Sequence, residues 1–469
     1  MYSLSLLPLV KEVMKVKTTN HKPNIGRRTT KTTATPQGLQ DAPTAQRPLA
    51  RQINDVEYLE REEVLALLEI KKESLYTYVS RGLIKTAPHG DSRRRLYLKS
   101  DVEKLKSRAA DRVGGTTGAA PALRYGEPIV QTWVCEITDE GPRYRGYLAV
   151  ELARDGRTFE SVAELLWTGI QSPRNVAWAS LCLDQDEAVW LEALGKELSP
   201  CRATDYLAMA AARMGASGRL VNGKTNHNPI ATGTRLIQVF SGISGLLGPE
   251  RRFACPPPGQ FIARTLVREL GGNGNAAAVA AESAINAALV LSADNELTAP
   301  TFAARICAST GADLSACVAS AIHVQSGPMQ VGGTEEVEWM FDNVAAGADG
   351  EQLALSTYPT ADLPCFYHPL YARDRRAELI VSLARQLTPA QAPAMRVLEF
   401  IDRIDRENGQ YPNLYAALVT LSVALGFPKG SAALIHTIGR TAGWIAHSVE
   451  QQLNGAMLRP RAKYMGARR

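Results

Sequence analysis

The sequence lacks the patterns by which several function classes announce themselves. Its seven cysteines (Cys135, Cys182, Cys201, Cys255, Cys307, Cys317 and Cys365) are odd in number and irregularly spaced, with no CxxC pair. That argues against a disulfide framework or a zinc knuckle and fits reduced thiols in a cytoplasmic setting. No run of ~20 uninterrupted apolar residues exists, so no membrane-spanning helix is expected. The Ala-rich stretch from Asn275 to Leu291 is broken by Glu282 and Asn286 and reads as a buried helix. There is no HxxxH paired with a carboxylate, no Walker motif, and no GxSxG or GxGxxG in context. Aromatics make up only 6%, but 45% hydrophobic and 21% charged residues are an ordinary globular composition, which excludes a wholly disordered or collagen-like chain.

What is present is unevenly spread. At ~100–200 residues per domain, 469 residues allow two to four domains. The formal charge of +6 is concentrated at the front: residues 1–54 hold nine Lys/Arg against two Asp/Glu, residues 55–112 hold 13 against 11, and the remainder 31 against 34. Residues 13–40 carry no acid and many Thr, Lys and Arg. This reads as a disordered basic tail (1–54) or, alternatively, as an organelle transit peptide. Gly114-Gly115-Thr116-Thr117-Gly118 marks a linker over 113–122. Val130–Ile137 and Arg143–Tyr147, around Asp139-Glu140-Gly141-Pro142, form the best hairpin candidate. Beyond it the pattern is mostly helical.

Residues 58–105, YLEREEVLALLEIKKESLYTYVSRGLIKT…RRRLYLKSDVEKL, resemble the small helix-turn-helix of the MerR/excisionase type. The resemblance implies a DNA-contacting second helix from about Lys72 to Arg81, including Tyr78, and phosphate contacts from Arg93, Arg94 and Arg95 on the following wing. Glu69 departs from the Gly usual at the turn. The module's near-neutral balance leaves open a docking appendage that binds no DNA.

From 123 onward the chain resembles citrate synthase. Tyr144-Arg145-Gly146-Tyr147 matches YRGY, Asp294–Phe302 matches DHELNASTF, and Gly327–Gly333 matches GPLHGGA. Tyr367–Tyr371 with Asp374-Arg375-Arg376 matches GHPLY…DPR, and Pro412–Tyr415 matches PNVD. Gly439–His447 matches GRTAGWIAH, and Leu458–Tyr464 matches the RPRxxY tail. The implied fold class is all-α, a homodimer of large and small domains (the small one roughly 332–437) with the active site between them. The implied reaction condenses an acyl-CoA, acetyl-CoA foremost, with a 2-oxoacid such as oxaloacetate, with no metal or cofactor and the acyl-CoA as co-substrate.

That chemistry needs a base for the thioester methyl proton, donors for the enol and the ketone, and cations for the carboxylates. Arginine suits the last task because its planar fork pairs bidentately with carboxylate. By resemblance, Arg376, Arg440 and Arg459 hold the carboxylates, the last from a partner subunit, and His368 polarises the ketone. Three positions are changed. Asn295 stands for a histidine that contacts the dicarboxylate, Gln330 for the enol-stabilising histidine, and Tyr415 for the aspartate base. Asn and Gln still donate hydrogen bonds, but a tyrosine, with a reference pKa of about 10, cannot serve as a carboxylate base near neutrality. Glu335, Glu336 and Asp374 lie nearby in sequence without a reason to place them at the methyl group. His323 and His436 read as packing residues on helix faces, His447 as part of the GWIAH helix, and His21, His89 and His227 as loop or tail.

Three functions follow: an acyltransferase with its activity in doubt, an inactive sensor that couples metabolite binding to DNA binding, and a structural subunit that lends Arg459 to an active paralogue.

Overall fold

The computed structural model describes residues 51–53, 56–68, 75, 79, 84, 86–88, 95–99, 102, 130–197, 202–219, 228–271, 277–357, 363–368, 370–371 and 373–460. The chain forms two compact units, Met1–Gly118 and Ala119–Arg469.

In the first unit, strands β1 (Arg51–Ile53), β2 (Val56–Leu59), β3 (Thr86–Pro88) and β4 (Arg95–Leu98) form an antiparallel sheet of order β1-β2-β4-β3. Helix α1 (Arg61–Leu68) follows β2 where the Val64/Leu68 spacing predicts a helix. The Glu60 backbone N–H donates to Glu63 Oε2 at 2.7 Å, capping its start. Val64 and Leu68 bury against Leu59, Leu75, Ile84, Tyr97 and Val102. Arg95 is exposed on β4. Lys72, Tyr78, Arg81, Arg93 and Arg94 lie outside the described residues, as does most of the expected second helix; of it only Leu75 and Val79 are described, both helical.

The second unit opens with a three-stranded sheet, β5 (Cys135–Thr138), β6 (Gly141–Tyr144) and β7 (Tyr147–Leu148). The hairpin thus starts five residues later than the hydrophobic pattern suggests. Arg145 (φ 49°) and Gly146 (φ 92°) make the tight turn from β6 to β7, a geometry that favours Gly.

The rest is helical: α2 (Ala149–Arg154), α3 (Phe159–Thr168), α4 (Gln185–Glu197), α5 (Ala203–Arg219), α6 (Pro229–Leu247), α7 (Ile262–Glu269), α8 (Ala277–Ser292), α9 (Ala299–Ser309) and α10 (Leu314–Gln325). Then come α11 (Thr334–Ala346), α12 (Gly350–Thr357), α13 (Arg375–Leu387), α14 (Pro393–Asn408), α15 (Leu414–Leu425) and α16 (Ser431–Asn454). The unit is mostly α, as the motifs imply. The Ala-rich run is α8, buried along most of its length.

Helix α16 is the axis of the unit. It is buried nearly all round from Ser431 to Ser448 and packs against α3, α6, α8, α9, α10 and α15. Such a helix belongs to a core rather than a surface. Its glycines set the approach. A Cβ on Gly439 would lie 2.7 Å from Ser292 Cβ, and one on Gly443 would lie 1.9 Å from Asp294 Oδ2. Gly443→Ala should therefore push α16 off the 292–294 segment. The expected result is a melting temperature lowered by several degrees together with weakened ligand binding, both measurable on the purified chain.

Glu160, on α3, is buried; its Oε1 accepts from Ile262 N–H at 2.7 Å and its Oε2 has no hydrogen-bond partner among the described residues. Burial pushes its carboxyl up to about 7. The folded state thus holds this proton more tightly than the unfolded state. The stability it contributes is fully present below the unfolded value near 4.5 and is lost as pH rises through about 7. Melting curves between pH 5 and pH 8 should show the fall, and Glu160→Gln should flatten it.

Candidate active site

Helix ends and glycine contacts bring the motif residues together. At the C-terminus of α8, the buried Tyr144 hydroxyl lies within hydrogen-bond reach of the Val290, Leu291 and Asp294 carbonyls (3.1, 3.3 and 3.1 Å). This holds the turn that carries Asp294 and Asn295. The loop before α13 is held from two sides. Phe366 sits edge-on to Phe341 and Phe400, with centroids 6.4 Å apart. Asn413, the N-cap of α15, donates from its backbone to Cys365 O (2.8 Å) and from its side chain to Tyr367 O (3.1 Å). The same Asn413 side chain accepts from Tyr415 N–H at 2.9 Å. One residue thus fixes both the His368 loop and the helix that carries Tyr415.

Asn295, His368 and Arg376 meet. Arg376 Nη1 donates to Asn295 Oδ1 at 3.1 Å, and its Nη2 lies 3.4 Å from His368 Nε2. The Leu370 backbone N–H donates to His368 Nδ1 at 3.2 Å. A neutral ring accepting at Nδ1 keeps its proton on Nε2. With Nδ1 accepting from Leu370, the Nε2–H finds no acceptor in Arg376 Nη2, which can only donate, and is left to serve a ligand oxygen. Burial pushes its pKa down to about 4, and Arg376 adds to the shift, so the ring is a neutral donor at pH 7. Its face stacks on Tyr371 at 4.4 Å.

The arginines divide their work. Arg376 is buried, and its fork is already engaged by its neighbour: Nε to Asp374 Oδ1 at 2.9 Å and Nη2 to Asp374 Oδ2 at 2.8 Å. Burial opposes the charge on Asp374, but Arg376 outweighs it and holds the carboxyl below its usual range. Asp374 also caps α13 through Arg376 N–H (3.0 Å). The Arg376 fork is thus shared, Nε and Nη2 with Asp374 and Nη1 with Asn295, where its motif position implies a clamp for a substrate carboxylate.

Arg440 is the opposite case. Its Nη2 donates to Thr298 Oγ1 (3.1 Å) and Thr301 Oγ1 (2.6 Å). Its Nη1 forms an ion pair with Asp294 Oδ2 at 3.3 Å but makes no hydrogen bond among the described residues, although it is buried. Buried donors without partners are rare, and this one suits an anion. Burial pushes the Asp294 carboxyl up, but His447 and Arg440 overcome it and bring it down to about 2.

Tyr415 and Gln330 also meet, the hydroxyl donating to Gln330 Oε1 at 3.3 Å. The His436 ring lies edge-on to Tyr415 at 4.8 Å. Burial, then Arg440 and Arg376, holds His436 well below the ordinary histidine range. His436 is thus a buried neighbour of the site, while His323, expected to pack, is exposed at the end of α10. Glu335 lines a cavity of about 480 Å³ with Arg202, Glu338, Trp339 and Lys429, and with Val331 and Gly332 of the Gly327–Gly333 motif. A cavity of about 400 Å³ lies over His368, Tyr371, Asp374, Tyr411 and Asn413. Arg459 is exposed on the segment after α16.

Asp294, His447 and Arg305 were missed by motif reasoning as working residues. The first two stand inside the motifs, but only the fold reveals their partners. Arg305 had one legible signal, an arginine amid the apolar pattern of a short helix. Among the described residues no three His, Cys, Asp or Glu side chains gather to hold a metal ion. No described helix is long and apolar enough to cross a membrane.

Comparison with known proteins agrees with this arrangement. The family model for the citrate synthase C-terminal domain matches residues 125–461. Citrate synthase 2 of Bacillus subtilis is 27% identical over 361 residues, spanning 74% of this chain and 96% of that protein. Putative citrate synthase 2 of Mycobacterium tuberculosis is 33% identical over 195 residues, 39% of this chain and 51% of that protein. Among solved structures, the ternary complex of Thermoplasma acidophilum citrate synthase with carboxymethyl coenzyme A and oxaloacetate aligns at TM-score 0.59 and 21% identity, covering 74% of this chain and 96% of that one. Thermotoga maritima citrate synthase gives 0.57 at 21% identity, covering 73% and 94%. The fold and the family match, spanning most of the second unit, place this chain in the citrate synthase family.

Proposed function

We propose that residues 123–469 bind a 2-oxodicarboxylate, oxaloacetate foremost, beside an acyl-CoA, acetyl-CoA foremost, and condense them slowly in the manner of the family. The buried Nη1 of Arg440, ion-paired with Asp294 but without a hydrogen-bond acceptor among the described residues, carries this reading. It offers a carboxylate a charged donor, with the Arg376 Nη1 edge and the Asn295 amide nearby. The ketone oxygen would accept from His368 Nε2–H. The thioester methyl would lose a proton to water, the resulting enol carbon would bond to the ketone carbon as the ketone oxygen takes the His368 Nε2 proton, and water would cleave the thioester to release CoA and the carboxylic acid.

The weak step is the first. Tyr415 donates its hydroxyl proton toward Gln330 rather than offering a carboxylate, and general base catalysis typically supplies ~10²–10⁴-fold. The small half (roughly 332–437) would close over the substrates, and in a homodimer Arg459 of a second copy would complete the carboxylate site. A thiol-release assay with acetyl-CoA or propionyl-CoA and a panel of 2-oxoacids tests the proposal. Slow release that depends on oxaloacetate is expected; no release above a buffer control across the panel would contradict it.

The tyrosine at the base position also favours a second reading, in which ligand binding itself is the output and residues 55–112 relay it to DNA. Promoter-fragment binding altered by oxaloacetate would support that reading; salt-sensitive binding without sequence preference would contradict it.

A further inference from the structure

A line of buried polar side chains runs inward to Arg440. Glu450 Oε2 lies 2.6 Å from Arg305 Nη1, and that nitrogen lies 2.8 Å from His447 Nδ1. His447 Nε2 lies 3.4 Å from Asp294 Oδ1, and Asp294 Oδ2 lies 3.3 Å from Arg440 Nη1. At the outer end Glu450 accepts from Thr132 Oγ1 (2.8 Å) and from Trp133 N–H (2.7 Å). Arg305, His447 and Asp294 are fully buried.

The donor inventory fixes the direction. Arg305 has only donors, so His447 Nδ1 accepts and the ring proton sits on Nε2, facing Asp294. Asp294 Oδ1 thus takes two protein donors, His447 Nε2–H and the Glu296 backbone N–H at 2.7 Å. Its other oxygen is left to Arg440. A buried guanidinium is a costly way to pack two helices, since apolar residues of similar volume serve as well or better. A chain of such groups ending at an Arg440 nitrogen that still lacks a hydrogen-bond acceptor has a different use.

We propose that Arg305 and His447 are positioning residues for oxoacid binding: they pin Asp294 so that its Oδ2 stays at ion-pair distance from Arg440 Nη1 without taking a hydrogen bond from it, which leaves the Nη1 hydrogens able to donate to the substrate carboxylate. The inference rests on the oxoacid-binding reading above. Without the His447 donor, Asp294 is free to turn and take more of the Arg440 guanidinium.

Calorimetric titration of the full chain with oxaloacetate, and separately with acetyl-CoA, tests this in His447→Leu, His447→Gln and Glu450→Gln. His447→Leu should weaken oxaloacetate binding by ~10–100-fold, the range of one charged hydrogen bond, and leave acetyl-CoA binding unchanged. His447→Gln, which keeps an N–H donor toward Asp294, should recover most of the loss. Should the leucine variant fail to fold, Glu450→Gln, at the outer end of the chain, should still weaken oxaloacetate binding selectively. Unchanged oxaloacetate affinity in a folded variant, or parallel loss of both ligands, would overturn the positioning role. A wild-type chain that binds no oxaloacetate would instead overturn the site reading, and the positioning role with it.

Discussion

Replacing Tyr415 with aspartate should raise oxaloacetate-dependent CoA release by ~10²–10⁴-fold, the usual worth of a general base. The position is ready for a carboxylate. Tyr415 is the second residue of α15, whose start is capped by Asn413, and the positive end of a helix favours an anion there. The neighbouring His436 is held uncharged by burial and by Arg440 and Arg376, so it would not neutralise the new base. The smaller side chain also opens room between Gln330 and His436 for the thioester methyl. Tyr415→Asn makes the same space without a base and should give no such gain. Equal rates for the aspartate and asparagine variants would show that the tyrosine is not what limits turnover.

Removing Arg376 should cost both stability and binding. Arg376→Ala leaves Asp374 buried without its counter-charge, and breaking a buried pair from one side costs about 3–5 kcal/mol. It also removes the donor that orients Asn295. Oxaloacetate affinity should therefore fall along with the melting temperature. The two effects separate in the double variant Asp374→Asn/Arg376→Met, which removes both charges. It should recover much of the stability and none of the oxaloacetate affinity. Recovery of binding in that variant would mean that Arg376 serves the fold alone.

Much of this molecule was legible in its sequence because motif order survives where individual residues change. The α-rich body follows from motifs quoted in order, as does the grouping of Asn295, His368 and Arg376, and the buried α8 follows from the Ala-rich run Asn275 to Leu291. The local rules explain several details as well: Gly146 in its turn, Asn413 as a cap, Gly443 against Asp294.

What stayed hidden is what depends on partners distant in sequence. Arg376 looks like a free carboxylate clamp until Asp374, two residues earlier, is seen to occupy its fork. His447 reads as one more helix residue until Arg305, 142 positions earlier, fixes which nitrogen carries its proton. His323 and His436 look alike in pattern, yet one faces outward and the other lies against Tyr415. The pattern of apolar residues records which face is buried, but not which polar group waits there.

The most direct test is calorimetric titration of oxaloacetate into the full-length chain and its Arg440→Met variant near pH 7.5. Saturable binding of one oxaloacetate per chain is expected in the wild type, with its loss in the variant while acetyl-CoA binding persists. Equal oxaloacetate binding by both, or none by the wild type, would contradict it.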